Sequence, residues 1–187
     1  MRKLVAAVFM VALLASVASA YEYTIGGQLG FGYNKDEVGS VTSKTTNFTI
    51  APEFGKIIDE DTNVGIGLIY DYSKVDAGTS VKTTTIGIYA FGEKAVLNPG
   101  PFKVFLRGEL GYDSTKIDGV SDRTNEINFS ILPNLQYALN DRLTLIVSSD
   151  VLRLSLGYSK TGDNKTTGFG FNAGNGNIAA VGLKYAF

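Results

Sequence analysis

Histidine is the side chain that most often moves protons or holds metals near neutral pH, and this chain contains none. Cysteine is also absent, so thiol nucleophiles and disulfides are excluded. Asp59-x-Asp61-x-Asn63 begins like a calcium loop. However, the sixth position is Val64 instead of Gly, and the twelfth is Tyr70 instead of Glu. It reads as a plain acidic turn. Gly26-Gly27-Gln28-Leu29-Gly30 lies inside an alternating segment with no helix after it, so it lacks the setting of a phosphate-binding loop. No constellation of Ser or carboxylate side chains suggests a nucleophile. We therefore expect no enzyme activity, no catalytic residue, no metal and no cofactor.

The remaining candidates are charged residues that fall on the less apolar face of alternating segments. They are Glu53, Asp71, Lys103, Arg107, Glu109, Glu126, Asp150 and Lys184. Arg153 joins them if the register shifts near residue 150. Buried charges need partners, because their desolvation is costly. The expected arrangement is a mixed-sign network centred on Arg107 and Glu109. Such a network is either an ion path or a plug of salt bridges, and the plug is the stronger expectation.

What must position these residues is a set of strands. Apolar and polar residues alternate with period two through most of the chain, the signature of strands with two unlike faces. Ile25, Leu29, Phe31 and Tyr33 alternate with Thr24, Gln28, Gly30 and Gly32. Similar segments surround residues 47–54, 64–72, 102–112, 126–137 and 177–187. A less clear one lies at 83–92, where Ile86 and Ile88 oppose Tyr89 and Phe91. The seventh segment changes parity, from Leu143, Leu145 and Val147 to Leu152, Leu154, Leu156 and Tyr158. One extra residue near Ser148-Ser149-Asp150 would repair the register, so a β-bulge is predicted there in preference to a strand break. Pro52 and Pro133 interrupt two strands and predict bulges or disrupted pairing. Eight strands of this kind close as an antiparallel up-and-down β-barrel. Long polar loops are predicted at 34–43, 74–82, 114–123 and 159–175. The other connections are 56–61, 93–101 and 138–141.

The first twenty residues differ. Arg2 and Lys3 precede an uncharged apolar run, and Ala18-Ser19-Ala20 ends it. That order is a secretory signal peptide, predicted to be cleaved after Ala20. The domain organisation is then signal peptide 1–20 and barrel domain 21–187. Cleavage moves the formal charge from −1 to −3, which leaves no nucleic-acid footprint.

A soluble ligand-binding barrel turns its apolar residues inward, whereas a membrane barrel turns them toward lipid. Here one face is apolar and aromatic, and the other carries Gly, Thr, Asn, Gln and charges. The small polar set suits the crowded inside of an eight-stranded barrel. Aromatic residues also sort to the two ends: Tyr33, Phe48, Tyr70, Tyr72, Tyr112, Phe129 and Tyr158 at one rim, and Tyr23, Phe54, Phe102, Tyr137, Tyr185 and Phe187 at the other. Two such girdles are expected at membrane interfaces.

These segments resemble the small eight-stranded outer-membrane barrels, such as the OmpX-like proteins and the OmpA transmembrane domain. The residues that carry the resemblance are Phe48-x-x-x-Pro52, the alternation over 64–72, Phe129-x-x-x-Pro133 and the terminal stretch 180–187. Gly182, Tyr185 and Phe187 match the C-terminal signal read by the barrel-assembly machinery, while Ala180 departs from the usual polar residue. The resemblance implies location in the bacterial outer membrane, contact with outer-membrane lipid and lipopolysaccharide, and a monomer whose loops meet an extracellular partner. It implies a structural or surface-interaction role. A narrow pore or conduit for small solutes is the alternative, and a lipid-modifying enzyme that dispenses with His is a third.

Overall fold

Alternating β-branched and aromatic residues give long strands here because each strand finds an antiparallel partner, most of them on both sides. The computed structural model describes residues 22–38, 41–149, 152–173 and 178–187. The predicted signal peptide, 1–20, lies outside these described residues. Ten strands are present: β1 (Tyr23–Val38), β2 (Val41–Asp59), β3 (Thr62–Ala77), β4 (Thr79–Leu97), β5 (Phe102–Ile117), β6 (Thr124–Ala138), β7 (Leu143–Ser149), β8 (Leu152–Thr161), β9 (Asn164–Ala173) and β10 (Ile178–Ala186). All pairings are antiparallel, and they join the strands into one sheet. The staves of the barrel number eight, as alternation predicts. β7 and β8 are the two halves of the seventh, and β9 and β10 are the halves of the last. The ring closes where Thr24–Leu29 of β1 pairs with Val181–Ala186 of β10. Among the described residues, β1 beyond Leu29 is paired with β2 alone.

The apolar face points outward. Leu29, Phe31, Ile66, Leu68, Ile86, Ile88, Leu110 and Leu183 are all exposed. The inward face holds Thr24, Glu53, Asn63, Glu93, Arg107, Ser130, Asn134 and Gln136, all buried. On β3 the outward apolar run from Val64 to Tyr72 covers nine residues, the length of a tilted transmembrane strand. A surface that is apolar around a polar interior cannot be water-facing, so this is a barrel of the outer-membrane type.

The predicted long loops are a correction. Most of their residues extend the ladders instead. β1 and β2 stay paired out to Val38–Val41, β3 and β4 out to Ala77–Thr79, and β8 and β9 out to Thr161–Asn164. Thr and Lys there are polar yet compatible with strand geometry, so hydrophobicity alone marked them as loop. Phe169 and Phe171 belong to β9, opposite Leu156 and Leu154, as strand extensions.

The parity change in the seventh stave corresponds to a larger insertion than the predicted single residue. β6 is paired with β8 as far as Ile131–Leu154 and with β7 from Asn134–Ser148. Three steps on β6 thus face six on its partner, an excess of three. Asp150 itself lies outside the described residues. Pro133 sits inside this gap, where a missing N–H costs no ladder bond. Pro52 lies in a matching gap: β2 pairs with β3 at Ile50–Tyr70 and again at Glu53–Gly67, with no shift of register. Its pairing is disrupted without a bulge.

Candidate functional site

β5 carries Arg107 on the inward face at the level where the barrel is most crowded. Its side chain is fully buried. Planar guanidinium geometry allows several carboxylates to be bound at once. Nη2 donates to Glu53 Oε1 at 2.6 Å, and Nη1 to Glu53 Oε2 at 3.1 Å, a two-point fork. Nε donates to Glu109 Oε1 at 2.7 Å. Nη1 also lies 3.6 Å from Glu93 Oε2.

Each carboxylate has further support. The Tyr89 hydroxyl donates to Glu53 Oε1 at 2.8 Å. Ser130 Oγ donates to Glu109 Oε2 at 3.4 Å. Glu93 accepts from Asn63 Nδ2 at 3.2 Å and from Gln136 Nε2 at 3.1 Å, and it is ion-paired with Lys184. Lys184 Nζ also donates to Gln136 Oε1 at 3.2 Å. Three carboxylates therefore share two cations in one connected cluster.

Aromatic rings complete the layer. The guanidinium carbon lies 4.0 Å from the Phe91 ring centroid and 5.8 Å from that of Tyr89, within cation–π range. Both rings lie back over glycines of β3. A Cβ on Gly67 would come 2.3 Å from Tyr89 Cζ, and one on Gly65 would come 2.6 Å from Phe91 Cζ. These two inward glycines are the slots that let the rings flank Arg107. Phe91, Phe105, Leu132 and Ile146 are also buried at the core. The interior is thus a plug of ions and rings together.

Of the residues predicted for the network, Glu53, Arg107, Glu109 and Lys184 meet in this cluster. Lys103 does not; its Nζ reaches Asp61 Oδ1 at 3.0 Å and the Glu60 carbonyl at 2.9 Å, at the turn end of the barrel. Asp71 and Glu126 lie half-buried in the opposite half, where Asp71 pairs with Thr85 and Glu126 with Asp113. The network is centred on Arg107, with Glu53 and Glu93 as its nearest wholly buried partners. Glu93 escaped the sequence reading because residues 93–101 were assigned to a connection. β4 in fact continues to Leu97. The signal was present: Tyr89, Phe91 and Glu93 share one parity, so the face of the first two extends to the third.

The acidic turn behaves as expected for a structural element. Asp59 Oδ1 accepts the Asp61 N–H at 2.9 Å. That bond, followed by one from the Thr62 hydroxyl, holds the Asp59 carboxyl below its ordinary value. Asn63 points instead to Glu93.

Two cavities are lined by inward-facing residues, and one of them reaches the cluster. One, of about 500 Å³, opens at the turn end and reaches Asn63, Glu93, Gln136 and Lys184. The other, of about 590 Å³, lies toward the hairpin end and is lined by Asp113, Glu126, Asn128 and Arg153, with Gly168 and Gly170 of β9. Between them the side chains of Arg107 and Glu93 have no exposure at all.

No family profile and no curated protein sequence matches the chain. Among solved structures, Neisserial surface protein A is similar over 91% of this chain and all of its own, at 17% identity and a TM-score of 0.46. Outer Membrane Protein W of E. coli matches the same shares at 9% identity and a TM-score of 0.42. The translocator domain of the autotransporter NalP from Neisseria meningitidis matches 87% of this chain at 16% identity, with a TM-score of 0.48. The chain spans 63% of that domain's length.

The residues of the predicted assembly signal all lie at the closing seam. Gly182 is buried opposite Gln28, and a Cβ there would come 2.2 Å from the Gly27 carbonyl oxygen. Tyr185 faces outward and accepts from Arg142 Nη1 at 3.3 Å. Phe187 exchanges backbone bonds with Tyr23, and their rings lie 6.4 Å apart. Gly182→Ala is therefore expected to strain the seam by about 1–3 kcal/mol. Gly108→Ala, whose new Cβ meets nothing nearer than 3.9 Å, should leave stability unchanged. Thermal unfolding of both variants in detergent reads the difference.

Proposed function

We propose that the protein is a sealed barrel of the bacterial outer membrane with a structural, surface-presenting role, neither a pore nor an enzyme. The observation that carries this reading is the closed level at Arg107. There, a fully buried guanidinium ties together carboxylates from three strands: Glu53 on β2, Glu93 on β4 and Glu109 on β5. An ion crossing the barrel would have to break that cluster, at the cost of stranding charges in a low-dielectric interior. Export by the N-terminal leader and assembly by machinery reading Gly182, Tyr185 and Phe187 fit the same location. We also propose kinship with the OmpX-like and OmpA-like barrels, and insertion as a monomer.

The second reading, a narrow conduit, draws on two cavities, one that reaches Glu93 and Lys184 from the turn end and one in the hairpin half lined by Asp113, Glu126 and Arg153. Planar bilayers separate the two. The refolded chain is expected to give no steady conductance, whereas stable unitary steps would favour the conduit. A shift of gel mobility on heating in detergent is expected of the folded barrel in either case.

A further inference from the structure

Beyond the plug, toward the hairpin end, the inward face changes character. Asp113 of β5 stands directly opposite Glu126 of β6 in the ladder, and both are half-buried. Like charges placed so destabilise a ladder, and partial burial removes some of the screening that water would give. Each carboxylate leans away from the other over a glycine of the next strand. Asp113 Oδ1 is the atom nearest to where a Cβ on Gly87 of β4 would stand, and Glu126 Oε1 would lie 3.0 Å from a Cβ on Gly157 of β8.

Little around the pair offsets its charge. The charged groups that act on Asp113 are Glu126, Asp71 of β3 and Arg153 of β8, and Asn128 Nδ2 donates to its Oδ2. β4 presents Gly87 to Asp113, and β9 lines the cavity with Gly168, Phe169 and Gly170, none of them charged. Of the described residues lining this cavity of about 590 Å³, Arg153 is the single cation, and it has a further partner of its own. Asp71, Asp113 and Glu126 thus share one cation, whereas the three carboxylates of the plug share two. The pair also stands beside the β8–β9 hairpin. Glu126 pairs with Ser159 of β8, and β9 is laddered to β8 alone among the described residues.

We propose that Asp113, set against Glu126 and Asp71, is a proton-binding position that steadies the hairpin half of the barrel in mild acid. A proton from solvent on the Asp113 carboxylate removes its repulsion with both neighbours. Glu126 then keeps Arg153 as a cation in the same cavity, and the protonated carboxyl gains a donor among the polar groups of Asn128 and Ser155. In the unfolded chain the same carboxylates are apart and in water, so the relief belongs to the folded state alone. A folded state that gains from holding a proton is stabilised as pH falls and loses that stability as pH rises. Carboxylates of the plug respond to acid in parent and variant alike, so the difference between the two isolates Asp113.

The test is urea unfolding of the mature chain refolded in detergent, followed from about pH 8 to about pH 4, where free carboxyls become protonated. Asp113→Asn removes the charge and keeps an acceptor for Asn128. At about pH 8 its folded-to-unfolded ratio should exceed the parent's by about two- to fivefold, the span of one cross-strand pair. That advantage should disappear by about pH 4. Glu126→Gln should bring a similar advantage at the higher pH. The double variant should then gain less than the sum of the two, because either change alone ends the repulsion between them. Infrared spectra give a reading separate from stability. Above the pH at which free carboxyls titrate, the parent should show a protonated-carboxyl band that Asp113→Asn lacks. An Asp113→Asn variant no more stable than the parent at about pH 8 would overturn the proposal. So would an advantage that persists unchanged to about pH 4, which would assign the gain to packing, or the absence of the infrared band.

Discussion

Replacing Arg107 by methionine is expected to destabilise the folded barrel by about 3–5 kcal/mol, the usual cost of removing one side of a buried ion pair. Arg107 makes the two-point bond to Glu53, the Nε bond to Glu109 and the contact with Glu93. Methionine fills similar space against Phe91 but carries no donor. Glu53 would keep only the Tyr89 hydroxyl, and Glu109 only the Ser130 hydroxyl. Lys184 remains with Glu93 and is engaged there with Gln136 as well. Glu53 would then be buried without a cation, and the half-buried Glu109 would lose its own as well. The measurement is the urea midpoint of the refolded barrel in detergent. Arg107→Lys should fall between parent and methionine variant, because an ammonium is a point charge and cannot fork to Glu53 while reaching Glu109. Adding Glu53→Gln and Glu109→Gln to Arg107→Met should restore most of the loss, because neutral amides no longer need the cation. A methionine variant as stable as the parent would show that the cluster contributes nothing to stability.

Such a cluster can be only partly anticipated from sequence. Parity places Glu53, Arg107, Glu109 and Lys184 on inward faces, and burial then demands partners. Which charges actually meet depends on how the strands are staggered around the barrel. Lys103 and Arg107 share a strand and a face, yet Lys103 reaches Asp61 and Arg107 reaches Glu53. Glu93 was hidden for a different reason. Residues 93–101 read as a connection, so the inward face that Tyr89 and Phe91 form over Gly67 and Gly65 was not carried on along β4. Once those rings are placed inside, Glu93 follows on the same face.

Parity has a further limit: it distinguishes odd insertions from even ones and counts no higher. The flip between Val147 and Leu152 demanded an odd excess in the seventh stave, and three satisfies it as well as one. Strand ends were missed on similar grounds. Above the lipid both faces of a hairpin meet water, so alternation fades while pairing continues. Lys35 opposite Lys44 is still a ladder position, but nothing apolar marks it as one. Closure was easier to anticipate, because Phe187 ends an alternating stretch and its backbone pairs with Tyr23.

The orientation of the wall itself rests on a second substitution with a large expected effect. Leu68 lies midway along the outward run of β3 and is 51% exposed. On a water-soluble barrel, arginine at such a position would change stability little, within about half a kcal/mol. In a membrane barrel the same change puts a guanidinium near the middle of the hydrocarbon. The expected cost is then about 2–4 kcal/mol, falling to about 0–1 kcal/mol near the interfaces. Thr84→Arg, in the row beside Tyr72, supplies the interfacial comparison. Both are measured by reversible urea unfolding in phosphatidylcholine vesicles. A depth-dependent pair, costly at Leu68 and mild at Thr84, requires lipid on the outward face. Equal and small costs at both would place water there, and the inward charges would then need another account. The distinction matters for Arg107, because a wall surrounded by lipid leaves the barrel interior as the one place where its three carboxylates and two cations can neutralise each other.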